Sequence, residues 1–142
     1  MTQQAPTIRD KSGPVWGYRL MSILTAVLLL VQPILIAQYI ADSSHTSFKD
    51  AHSVVADVIF VTVVLQLILA YLARRTFGIG MVGHNFGLLV LVIIQVVLGV
   101  FSSDGHATAK EIHIPLGVFL FGMGLFAPFM GFYDLKAQRR PQ

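Results

Sequence analysis

Four apolar runs, at about residues 20–41, 54–73, 81–101 and 112–133, leave this chain few folds to choose from. Each is about the 20 residues that a helix needs to cross a hydrocarbon core. A segment in lipid must satisfy its own backbone polar groups, so each run reads as a transmembrane helix. Short polar connections between consecutive runs allow only antiparallel neighbours. The expectation is an all-α integral membrane protein, an up-down-up-down four-helix bundle spanning 15–134, with polar tails at 1–14 and 135–142. Composition agrees: of 142 residues, 55% are apolar and 12% charged, far too apolar a surface for a soluble domain. The first run is long enough to span and lacks a small-residue cleavage site, unlike a secretion signal.

Charge sets the expected orientation. Arg9, Lys11, Arg19, Arg74, Arg75, Lys136, Arg139 and Arg140 cluster at alternate ends of the runs, and only Lys49 and Lys110 fall at the others. The positive-inside rule puts both termini and the 72–81 loop in the cytoplasm and the other two loops outside. The formal charge of +3 therefore marks orientation, and its spread argues against nucleic acid as a partner. The chain has no cysteine, which removes disulfides, iron–sulfur clusters and covalent haem attachment. Trp16, Tyr18 and Arg19 read as anchors at the inner interface, and Pro33 as a kink in the outer half of the first helix.

The polar residues carry a repeat. His45-Thr46-Ser47-Phe48-Lys49-Asp50-Ala51-His52 returns as His106-Ala107-Thr108-Ala109-Lys110-Glu111-Ile112-His113, each copy just before an apolar run. The bundle therefore reads as two repeated hairpins. Ser47-x-x-Asp50 and Thr108-x-x-Glu111 fit capping boxes, which put His52 and His113 at matched depth beyond the first turn of the second and fourth helices. Two imidazoles at matched depth on separate helices suit the axial ligation of one haem. Ala56 and Gly117, four residues further on, lie on the same helical faces and leave room for a flat macrocycle. The alternative is that both histidines are structural.

His45 and His106 fall in the outer loops, as solvated residues, as donors to haem propionates, or as two of four imidazoles around copper or zinc. Lys49 and Lys110 either pair with propionates or are solvated. Gln32 and Gln95, with Asp57, read as a polar belt just below the histidines, placed for proton or quinone contact or for interhelical hydrogen bonding. His84 has no partner histidine at the inner end, so one haem is expected and not two. Gly83-x-x-x-Gly87 and the glycines of the fourth helix read as packing positions. Pro115 either bends the fourth helix or sits in its first turns without effect. No phosphate loop, serine nucleophile motif or catalytic carboxylate pair occurs.

Gln32, His52, Gln95 and His113 resemble the pattern of a family of small bacterial four-span membrane proteins. More broadly, 15–134 is similar to one four-helix half of the heme A synthase type. That resemblance implies histidine ligands at the outer ends of the second and fourth helices, and a multi-pass protein of the bacterial inner membrane. Asp50 and Glu111 stand two residues before their histidines, not the one turn of the catalytic carboxylate in heme A synthases, so haem binding is implied and heme A synthesis is not. The expected function is that of a b-type cytochrome-like protein with one non-covalent haem b. It would serve electron transfer or redox sensing, with quinol or a respiratory membrane complex as partner. A haem-free accessory subunit of such a complex, or a copper/zinc-binding membrane protein, is the alternative.

Overall fold

A computed structural model describes the backbone of residues 13–137 and side chains through Tyr133; of the expected tails at 1–14 and 135–142, residues 1–12 and 138–142 lie outside the described residues. Five helices follow in order: α1 (Gly13–Ala41), α2 (Thr46–Leu72), the short α3 (Arg74–Phe77), α4 (Ile79–Ser103) and α5 (Ala107–Ala137). Four of them are long and apolar enough to cross a membrane, which supports a multi-pass membrane protein. The helices outrun the apolar spans at both ends of the chain: Gly13 and Pro14 already belong to α1, and α5 continues to Ala137.

Each turn has a local cause. Gly78 at φ 84° breaks the chain between α3 and α4, and Gly105 at φ 91° breaks it between α4 and α5; both need the left-handed region that glycine enters freely. In the α1–α2 turn the Asp42 carboxylate accepts from the Ser44 hydroxyl at 2.7 Å and the Ser44 amide at 3.0 Å. These bonds, the hydroxyl's first, hold the Asp42 carboxyl below the usual carboxylate range.

The capping boxes do not form. α2 begins at Thr46, one residue before the expected cap, and no side chain caps it; His45 holds the N-cap position. α5 begins at Ala107, so Thr108 lies inside its first turn, and the His106 carbonyl accepts the first helical bond, from the Lys110 amide at 3.3 Å. Both helices start earlier by matched amounts, so His52 and His113 keep equivalent positions.

The long helices close a square in which α1 packs on α2 and α5, and α4 packs on α5 and α2. Two hairpins, α1–α2 and α4–α5, therefore lie side by side, and α2 and α5 occupy opposite corners. Large apolar side chains such as Leu20, Val54, Val118 and Phe129 cover the outside, while Arg19, Ser22, Thr25, Thr62, Gln66 and Asn85 are buried among the apolar residues of the inside. That distribution suits lipid, which solvates apolar surface as well as a core does and leaves polar groups to pair inside.

The half nearer α3 shows the pairing. Asn85 donates to the Met81 carbonyl at 2.7 Å and to the Tyr18 hydroxyl at 3.3 Å, and accepts from Gln66 at 2.6 Å. Thr25 meets Thr62 at 3.2 Å. Tyr18 and Arg19 thus turn inward, and only Trp16 of the expected anchors is exposed. Arg19 donates through Nε to the Gly131 carbonyl at 3.2 Å and stacks between Trp16 and Phe132.

Close approach of α1 and α5 depends on two glycines. A Cβ on Gly131 would stand 3.0 Å from Tyr18 Cε1, and one on Gly124 would overlap Leu29. Gly83 and Gly122 have no neighbour within 4 Å on that side, so the expected packing role does not hold for them. Gly124→Leu is therefore expected to lower stability by about 1–3 kcal/mol through overpacking. Gly122→Leu should stay within about 0.5 kcal/mol of the wild type. Thermal denaturation of both variants in mild detergent checks the pair.

Candidate functional site

His52 and His113 come together where the square closes around the bundle axis. Their ring centroids lie 6.5 Å apart with 66° between the planes. Neither helix could bring them together alone, since α2 and α5 sit at opposite corners and each supplies one ring.

Each ring is held by a glutamine from its own hairpin in the same reciprocal way. On the first hairpin His52 Nδ1 bonds the Gln32 backbone carbonyl at 3.3 Å, and the Gln32 side-chain amide donates back to the His52 carbonyl at 3.1 Å. On the second, His113 Nδ1 bonds the Gln95 carbonyl at 3.1 Å, and the Gln95 amide donates to the His113 carbonyl at 2.9 Å. A carbonyl only accepts, so in the neutral ring Nδ1 carries the proton and Nε2 keeps its lone pair. That tautomer is the one in which Nε2 can bind a metal, with the Nδ1 bond fixing the ring's orientation.

The spacing can be compared with a ligand pair. Two metal–nitrogen bonds of about 2 Å, plus about 1.2 Å from each nitrogen to its ring centre, put trans imidazole centroids ~6.4 Å apart. The angle between ring planes is free to vary about such an axis. The His52 and His113 rings stand 6.5 Å apart, close to that spacing.

Small residues shape the surroundings, though not all as their spacing suggests. A Cβ on Gly99 would stand 3.2 Å from His113 Cε1, so this glycine seats the ring. Sequence reading missed it because Gly99 shares no motif with the histidines and lies on another helix. A Cβ on Gly117 would meet Gln95 Nε2 at 3.0 Å, so that gap is taken by the glutamine amide. Ala56 is half-buried on the matching face of α2. Gln32 Oε1 and Gln95 Oε1 are buried without a hydrogen-bond partner.

Other candidates do not join this centre. His45 and His106 are exposed: His45 pairs with Asp42 at 3.0 Å, and the His106 ring packs against Phe101 at 5.8 Å. Among the described residues no three His, Cys, Asp or Glu side chains converge, so the four-imidazole copper or zinc site is not formed. Lys49 and Lys110 are exposed at the same end of the bundle. Asp57 is also exposed, on the outside of α2, and so is not part of a belt with the glutamines. The wheel position explains this, since Asp57 lies five residues after His52, about 140° around the helix. His84 packs against Phe126 at 5.9 Å, its Nε2 is buried without a hydrogen-bond partner, and no second histidine stands beside it.

In the protein without added metal at pH 8, ¹⁵N NMR of the imidazoles should show both His52 and His113 with a protonated Nδ1 and an unprotonated Nε2. Exposed His45 and His106 serve as internal references. No protein-family model, curated protein or solved structure matches this chain, and the site is therefore interpreted from its geometry.

Proposed function

We propose that His52 and His113 would hold one non-covalent haem b through Nε2, in a membrane protein that transfers single electrons. One observation carries this reading: two imidazoles from opposite helices, each with Nδ1 committed to a backbone carbonyl, stand 6.5 Å apart centre to centre. Haem held there supplies a one-electron couple. Ligation by both histidines would leave the haem suited to electron transfer or redox sensing more than to oxygen chemistry.

The chain's own residues have distinct parts in this reading. Gln32 and Gln95 orient the ligands, their carbonyls holding Nδ1 and their amides holding the ligand residues' backbone. Gly99 gives His113 its seat. Lys49, Lys110, His45 and His106 lie exposed at the histidine end, where cationic or donor side chains can meet propionates. The arginines of α3 belong to the opposite end, which by the positive-inside rule is cytoplasmic, together with both termini. The resemblance of the Gln–His pattern to small bacterial four-span proteins, and of the His52 and His113 positions to half of a heme A synthase, points the same way, to the bacterial inner membrane. Quinol or a respiratory complex would then be the electron partner.

Protein purified in mild detergent from haem-replete cells should give a b-type dithionite-reduced minus oxidised spectrum and a low-spin ferric signal in electron paramagnetic resonance. His52→Ala and His113→Ala should each lose the low-spin signal while still inserting in the membrane. Absence of b-type absorption from the wild type would overturn the proposal and leave the haem-free accessory reading. Gly99→Val, which pushes the His113 ring out of place, should retain less than about half of the low-spin haem, as placement errors near 1 Å are costly at such sites. Haem-to-protein stoichiometry measures this loss.

A further inference from the structure

Asp57 is the one acidic or basic side chain in the stretch of α2 between His52 and Arg74, and it points away from the bundle. At about 1.5 Å of rise per residue it stands ~25 Å from Arg74, within a hydrocarbon core about 30 Å thick. Its exposed neighbours on that face are Ser53, Val54, Phe60 and Val61, and it makes no hydrogen bond or ion pair with the described residues. Ionisable side chains in spans almost always face a bundle interior or a water-filled cavity, because lipid solvates them poorly. This one does neither within its own chain.

A second copy of the protein does not answer the charge. The exposed cations of the described residues, Lys49, Lys110 and Arg75, sit at or beyond the ends of the spans, and Arg19 is buried against α5. Two copies packed through this face of α2 would set one Asp57 against the other, since like faces meet in a symmetric dimer. The geometry points to Asp57 as the anchor of a lateral interface with a different membrane protein, one whose transmembrane helix carries a lysine or arginine at the same depth. The outer face of α2 is then a docking surface, and its apolar residues around Asp57 supply the packing. This interface is independent of whatever His52 and His113 bind.

Full-length protein with a fluorescent donor, reconstituted dilute in phosphatidylcholine vesicles, tests the interface against acceptor-labelled polyleucine host helices. The helices carry Lys, Leu or Glu at the depth of Asp57. The Lys helix should bind best, and Asp57→Asn and Asp57→Leu should weaken it about tenfold, to the level of the Leu helix. Asp57→Glu should keep the preference. Helical content and melting temperature of each variant confirm folding, which a substitution on the lipid side should leave intact. Equal transfer to the Lys and Leu helices by folded wild type overturns the proposal, as does undiminished Lys-helix binding by Asp57→Leu. Energy transfer between two labelled copies that disappears in Asp57→Leu would also overturn it, by making the second copy the occupant.

Discussion

The reciprocal glutamine–histidine clamp is the contact on which the arrangement at one end of this bundle depends. In water either side chain could leave its partner for solvent at little cost, but in hydrocarbon an unpaired imidazole or amide has nowhere else to bond. Gln32 and His52 therefore tie α1 to α2, and Gln95 and His113 tie α4 to α5, each by two bonds in opposite directions. A pair of bonds between the same two residues sets helix register as well as contact. Once both hairpins are in register, closing the square brings the two rings to the axis without further adjustment.

The rest of the core follows the same constraint with different residues. At the α3 end, Tyr18, Gln66, Asn85 and the Met81 carbonyl form a buried network across α1, α2 and α4. Threonines 25 and 62 link α1 to α2 between that network and the histidines. Apolar packing fills the remaining space, with Leu29, Val63, Leu88, Val92 and Leu120 among its buried members. Association in lipid gains little from moving leucine from outside to inside, so these polar contacts and the close approaches at Gly124 and Gly131 provide the specificity.

The two hairpins are alike without being copies. Helix starts, glutamine–histidine pairs and ring tautomers correspond, which gives the histidine end an approximate two-fold axis along the bundle. Gly99 beside His113 breaks the correspondence, and so does Asp57 on α2, where the matching position of α5 is Val118. The symmetric features serve the axis, and the asymmetric ones include the polar group turned to the lipid.

The amino-acid sequence by itself determined the membrane class, the four helices and their antiparallel order, because span length and backbone satisfaction in lipid leave no other fold for such apolar runs. It also singled out His52 and His113, since a repeat keeps equivalent residues equivalent even where the assumed capping boxes do not form. Tertiary structure alone decided which polar groups meet. Gln32 and Asp57 look equally polar and similarly deep in the chain, yet one faces the axis and the other the lipid, according to how each helix is rotated. Tyr18 and Arg19 carry an interfacial signature and are nonetheless buried, because Asn85 and the Gly131 carbonyl lie within reach. Helix rotation depends on neighbours far along the chain, and a helix that is apolar on every side carries no local record of which side faces in.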